Sequence, residues 1–252
     1  MYSKLLTIIT VNYNSGTLLL CTLPKLAHFS SSSGVELIMV DGGSSDQSIP
    51  LIEKYKSIFT HCIIEKDKGI YDAMNKGIRH SSGEWVWFIN AGDQPLISPD
   101  ALITILSIVG ESPVNFLYSD LIIGGTIIRQ HLDFVTIAIG MINHQTIIYK
   151  HSLLRQPYDA SLKYCSDYGH LINNYKNINP YKICEPICLY DFTGISSQAT
   201  RERKLAIWFE RLRAQWDSRL PVGHKYILMS ISIFTIVIKF LFPKIMSFKP
   251  RD

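Results

Sequence analysis

Charge is scarce in this sequence. Asp, Glu, Lys and Arg fill 18% of its 252 positions, against 47% for apolar residues. That is greasy for a soluble enzyme, yet the chain is not membrane-protein-like throughout. Its five cysteines (Cys21, Cys62, Cys165, Cys184, Cys188) form no CxxC pair. The Cys184/Cys188 spacing lacks cysteine or histidine partners nearby, which argues against zinc and for reduced core thiols in a cytosolic protein. No signal peptide is recognised: the opening MYSKLLTIITVNYN has too short an apolar run and no small-residue cleavage site, and it reads as a first strand. No GxGxxG, P-loop, GxSxG or HExxH motif occurs. Any phosphate must therefore be held by a metal and side chains.

What is present alternates. LLTIITV (Leu5–Val11) is short, apolar and β-branched, as a strand buried on both faces should be. An apolar-patterned helix over Leu18–Phe29 follows, with Pro24 expected to bend or shorten it. Glu36–Val40 is a second strand ending in DGGSSD, and a helix starts near Ser48 with Pro50 in its first turn. His61–Glu65 is a third strand, and Tyr71, Met74 and Ile78 share one face of the helix after it. Trp85–Ile89 is a fourth, and Ser98-Pro99-Asp100 caps a helix over Ala101–Val109. Four βα units in about a hundred residues predict an open, mostly parallel sheet with helices on both faces. Beyond Asn115 the rhythm changes. FLYSD reads as a strand, LIIGGTII as a hairpin, His144–Tyr149 as a strand, Ser166–Tyr175 as a short helix and ICLYDF as a further strand.

Ligands of an open parallel sheet bind beyond the carboxyl ends of its strands. Asp41, Asp67 and Asp93 each follow a strand. Three acids there repel one another, so the cluster calls for a cation or a ligand with donors, although any one alone is an ordinary turn or capping residue. Strand-end acids with a divalent cation on a diphosphate suit a nucleotide-sugar transferase. A sugar nucleotidyltransferase would want a basic glycine-rich loop after the first strand, and NYNSG has neither lysine nor arginine.

In order, ITVNYN, VDGGSSD, DKGIYDAMNKGI, FINAGD, NHQTIIY and CSDYGHL resemble an inverting glycosyltransferase of family 2. The likeness spans about residues 4–200 and is closest to bacterial transferases that build colanic acid, O-antigen and similar surface polysaccharides. It implies a GT-A fold: α/β, with a Rossmann-like, mostly parallel sheet flanked by helices, a smaller mixed acceptor-side segment and a C-terminal helical tail. Residues 1–114 would be the nucleotide-binding half and 115–200 the acceptor-side half of one domain. By the same resemblance Asp41 would bind the base, with Thr10, Val11 and Asn12 lining the pocket, and Asp67 would lie against base or ribose. Asn90 and Ala91 would border the donor. Asp93 would coordinate Mn²⁺ or Mg²⁺, and Asp167 would be the general base. His144 and Gln145 would lie near the acceptor or diphosphate, or be only a polar pair at a strand start. Asp72 is assigned to the same side, or to a helix-dipole acid. The usual Asp-x-Asp is thinned here, with Asn90 and Gly92 in place of acids, which leaves a non-catalytic membrane-associated member of the fold as the alternative. The loop Thr193–Gln198 has a flap's composition. The missing QxxRW signature favours addition of one sugar per encounter.

The charge is unevenly spread. Residues 1–200 carry 14 Lys and Arg against 17 Asp and Glu, and residues 201–252 carry 11 against 4, a net of +7. Thr200–Trp216 reads as a basic amphipathic helix. Tyr226–Phe242 is a seventeen-residue apolar run with Lys239 near its end, at the short limit for crossing a bilayer. Basic residues interleaved with an apolar run point to an anionic membrane surface and not to nucleic acid. The expected arrangement is an interfacial or re-entrant anchor at the inner face of the bacterial cytoplasmic membrane, with a true span or a helix packed on the domain as alternatives. The expected partners are a nucleotide-sugar donor, UDP-linked, and a lipid-linked oligosaccharide acceptor. A homo-oligomer is left open.

Overall fold

The computed structural model describes residues 3–191 and 200–241. The expected flap over residues 193–198 and the end of the tail, 242–252, lie outside the described residues. The alternating half comprises β1 (Lys4–Asn12), α1 (Gly16–Ser30), β2 (Val35–Asp41), α2 (Ser48–Lys54), β3 (His61–Ile64), α3 (Ile70–His80), β4 (Gly83–Phe88), β5 (Gln94–Pro95) and α4 (Pro99–Gly110). Then come β6 (Phe116–Tyr118), β7 (Leu121–Ile123), β8 (Thr126–Ile128), α5 (Phe134–Ile139), β9 (Ile147–Lys150), α6 (Ser166–Asn174), β10 (Pro180–Lys182), β11 (Cys188–Leu189), α7 (Arg201–Asp217) and α8 (Val222–Leu241).

Local chemistry explains most boundaries. The Ser98 hydroxyl accepts the Ala101 N–H at 3.3 Å and starts α4, with Pro99 where no N–H is needed. Gly124 and Gly125, at φ +53° and +78°, supply the two left-handed residues of the β7–β8 hairpin. Two expectations need correcting. Pro24 does not shorten α1, which runs on to Ser30, because Pro24 and Leu20 lie on its exposed side, where water can serve the unpaired carbonyl. His144–Thr146 is a 3-10 turn and not strand, because the Asn143 side chain accepts the Gln145 N–H and caps it; the strand begins at Ile147.

The main sheet has the order β10-β6-β9-β4-β1-β2-β3. Strands β4, β1, β2 and β3 are parallel, and β9 enters antiparallel between β4 and β6. Both faces are covered. Ile9, Val40, Val86 and Phe88 belong to one apolar cluster, and Leu6, Ile8, Leu37, Trp85 and Trp87 to the other. From β1 the chain goes to β2 on one side and returns to β4 on the other, which opens a crevice at the carboxyl ends of these strands. A second sheet, β5-β11-β7-β8, was not foreseen. Among the described residues of ICLYDF, Cys188 and Leu189 alone are strand, pairing with β5 and β7.

Helices α7 and α8 pack on the body. Glu210 accepts the N–H groups of Lys163, Tyr164 and Cys165, just ahead of α6. The buried Arg211 guanidinium stacks on Tyr168 at 4.2 Å and donates to the carbonyls of Ile137 and Gly140. Gln215 bonds the Tyr168 hydroxyl and Ser232, which in turn donates to the Ala138 carbonyl. Among the described residues no helix is long and apolar enough to cross a membrane.

Contact between α3 and β1 is closest at Gly77, where a Cβ would lie 2.5 Å from Cγ2 of fully buried Ile9. That branched side chain has nowhere to move. Gly77→Ala should therefore cost roughly 1–3 kcal/mol, read as a lowered urea midpoint at unchanged slope.

Candidate active site

At the end of β1, Thr10 and Asn12 are buried. The Asn12 amide donates to Asp41 at 2.6 Å. Asp41 also accepts the N–H of Gly43 and Ser44 and the Ser44 hydroxyl, so both its oxygens are engaged and it shapes the loop after β2. Gly42 is required there, since a Cβ would come 2.4 Å from the Asp67 carboxylate and 3.2 Å from the Tyr13 ring. Asp67, half-buried, accepts the Gly69 N–H, and Tyr13 beside it is exposed. The strand-end acids thus divide. Asp41 lies within the loop, and Asp67 with Tyr13 forms its rim. Asp72 accepts the Lys68 N–H and neighbours Lys76, closing the first turn of α3.

The loop after β4 is fixed from behind. Thr22 of α1 donates to the Asp93 carbonyl and accepts the Gly92 N–H, both at 2.9 Å, and the Ala91 N–H reaches the Val11 carbonyl. Asp93 is only 2% exposed. Its carboxylate accepts the N–H of Asn90 at 3.2 Å and of Asp191 at 3.0 Å. Burial lifts its pKa to about 7, against the pull of those two amides. The Gln145 side chain also approaches Asp93. Gly92, at φ +102°, stands where a Cβ would meet the Asp191 carboxylate at 2.7 Å. An acid that follows β11 therefore occupies the space beside the position at which the loop lacks one.

Asp167 sits in the first turn of α6. Its Oδ1 accepts the Tyr71 hydroxyl and the Tyr168 N–H, each at 2.8 Å. Oδ2 has no hydrogen-bond partner among the described residues. Desolvation raises the Asp167 pKa, and the Tyr71 bond opposes that rise. Tyr190 connects the two acidic places: burial first, then the charges of Asp93, Asp167 and Asp191, push its phenol up to about 12. His144 lies deeper, against Phe88 and bonded to the Tyr158 hydroxyl at 2.8 Å. Burial pulls its pKa down to about 3, so it is neutral in the folded protein. Tyr71, Tyr190 and Asp191 escaped the sequence reading. Tyr71 was assigned only to a helix face, and the other two follow a strand of two residues.

Among the described residues no three His, Cys, Asp or Glu side chains gather for a metal ion. The oxygens beside Gly92 nonetheless suit a hard cation: two carboxylates, with the buried Asn90 Oδ1 lacking a partner. Mg²⁺ and Mn²⁺ are commonly held by one or two carboxylates plus substrate phosphates.

The crevice thus lies at the strand ends with acids on both of its sides. Residues 7–115 match the family model for glycosyl transferase family 2. An uncharacterised glycosyltransferase of Mycobacterium tuberculosis is 27% identical over 233 residues, covering 88% of this chain and 87% of that protein. A PGL/p-HBAD biosynthesis glycosyltransferase of Mycobacterium bovis is 28% identical over 187 residues, 70% and 72% of the two chains. Among solved structures, S. aureus TarS 1–349 in complex with UDP superposes with a TM-score of 0.69 at 17% identity, covering 97% of this chain and 74% of that one. A Pyrobaculum calidifontis mannosyltransferase in complex with GDP-Man and Mn²⁺ gives 0.66 at 14%, covering 96% and 76%. Residues 7–115 thus carry a glycosyl transferase family 2 domain, and the chain has the fold of the GT-A glycosyltransferases.

Tyr71→Phe removes a donor to the ionised form of Asp167. The acid limb of the pH–activity profile should then move to higher pH, with roughly a tenfold loss of rate at neutral pH. An unmoved limb would mean that Asp167 is not the group that titrates.

Proposed function

We propose that the protein transfers one sugar, with inversion, from a UDP-linked donor to a lipid-linked saccharide acceptor of bacterial surface polysaccharide synthesis. The observation that carries this reading is Oδ2 of Asp167, without a hydrogen-bond partner among the described residues, near a Tyr190 that feels the charges of Asp93, Asp167 and Asp191 alike. In an inverting transfer the acceptor oxygen bonds to the anomeric carbon as the bond to the diphosphate oxygen breaks on the far side. Asp167 takes the hydroxyl proton at Oδ2. Tyr71 and the Tyr168 amide hold Oδ1 still, so the free oxygen keeps its direction. The base would rest on the loop that Asp41 shapes, against Tyr13 and Asp67, with Thr10, Val11 and Asn12 behind. Asp93 and Asp191, with Asn90, would hold Mn²⁺ or Mg²⁺, which when bound neutralises charge on the leaving diphosphate. Asp191 is the more accessible of the two, so we give it the larger share. Gln145 would orient Asp93. We assign His144 to support of the tyrosines under Asp167 instead of to the acceptor.

The tail would keep the active site at the inner face of the cytoplasmic membrane. Leu205, Phe209 and Trp216 form one exposed stripe on α7, and Tyr226, Ile233 and Val237 another on α8, in the part of the chain that carries the +7 charge.

Asp167→Asn should keep UDP affinity while transfer falls by roughly 10²–10⁴-fold. If Mn²⁺ strengthens UDP binding by calorimetry, Asp191→Asn should abolish that gain; an unchanged gain would remove Asp191 as a ligand. Tyr226→Ser with Ile233→Ser should release the protein from sedimenting vesicles at unchanged helicity. Continued pelleting would sink the anchor.

A further inference from the structure

A cavity of about 340 Å³ lies away from the donor crevice. Strand β9 runs antiparallel to β4, so the 3-10 turn that follows it, His151–Arg155, stands where β4 begins, at the opposite end of the sheet. Helix α6 spans the distance. It starts at Asp167 in the crevice and ends at the cavity with Asn173 and Asn174. Arg155, Lys176 and Arg219 line this space together with Gln156, Asn173 and Asn177, and none of its lining residues is acidic.

Several cations elsewhere have an acidic partner. Lys76 meets Glu65 and Asp72, Lys182 and Arg129 share Asp120, and Lys150 meets Glu84. Arg155, Lys176 and Arg219 have no ion pair among the described residues. Three cations around one concave space repel one another, and an anion there offsets that repulsion. Guanidinium groups match phosphate oxygens, and the side-chain amides both donate to and accept from hydroxyls. The ligand chemistry is a phosphate ester carrying hydroxyl groups.

The surroundings choose its source. Arg219 and Leu220 belong to the turn joining α7 to α8. Beside that turn Trp216 is 54% exposed and packs edge-on against exposed Tyr226 at 6.3 Å, with Val222 exposed between them in sequence. Exposed Trp and Tyr next to cations is the composition of a membrane interface. We propose that this cavity binds the phosphate headgroup of an anionic phospholipid and sets how the enzyme lies on the bilayer. The inference rests on the membrane reading of the tail.

The test measures full-length protein binding to phosphatidylcholine vesicles with and without phosphatidylglycerol, alongside UDP binding. Combined Arg155→Gln, Lys176→Gln and Arg219→Gln should weaken binding to phosphatidylglycerol vesicles by roughly 100-fold and leave UDP affinity unchanged. Lys25→Gln, Lys54→Gln and Lys56→Gln together make the same charge change on α1, α2 and the turn after it, and should have a much smaller effect. Equal losses in the two triple variants would overturn the cavity and leave the membrane reading standing. Wild-type protein that binds neither vesicle would overturn both. Soluble glycerol phosphate should compete only weakly; if it binds the cavity while vesicles do not, the lipid source is wrong.

Discussion

A carboxylate taken out of water and given two backbone N–H groups holds this site together. Asp93 follows β4, and its partners are the amide of Asn90, in its own loop, and that of Asp191, just after β11. Burying an acid is costly, which is why its pKa rises to about 7, and the two amides offset part of that cost. The bond to Asp191 fastens the second sheet to the end of the first. Tyr190 and the Asp191 carboxylate thereby reach the edge of the nucleotide crevice. Gly92 answers to two constraints there, its left-handed φ of +102° and the Asp191 side chain beside it.

On the acceptor side the decisive contact is Tyr71 to Asp167, 96 residues apart in the chain. It joins α3, from the nucleotide-binding half, to α6, from the other half. The tyrosine satisfies one carboxylate oxygen, and its twin has no hydrogen-bond partner among the described residues. The aromatic layer beneath, Tyr149 and Tyr158 with His144, is uncharged and supports the pair without competing for its proton.

Much of this was legible in the sequence. The short β-branched strands, the capping Ser98 and the Gly124-Gly125 turn each carry their structural reason locally, and so does the position of Asp93 just past a buried strand. What was hidden depends on distance or brevity. A strand of two residues has no period to read, so β5 and β11 were invisible, and with them the placement of Asp191. Asp41 was recognised as a strand-end acid, but four internal hydrogen bonds, unreadable from spacing, turn it inward to its own loop. Apolar patterning put Tyr71 on a helix face and could not show what its hydroxyl would meet. The composition changes sharply after residue 200, yet side chains from α7 and α8 reach into the body.

Glu210 gives that last point its weight. Its carboxylate gathers three amides immediately before the turn that carries Asp167. The segment with the family signature ends at residue 115, far short of this contact. The family match thus lies in one continuous stretch near the start of the chain, while the turn that carries Asp167 is held from a helix near its end. On the proposed reading of Asp167, a displacement of α7 against the sheet would turn the base as well, so the hairpin acts as a rudder and not as a trailing appendage.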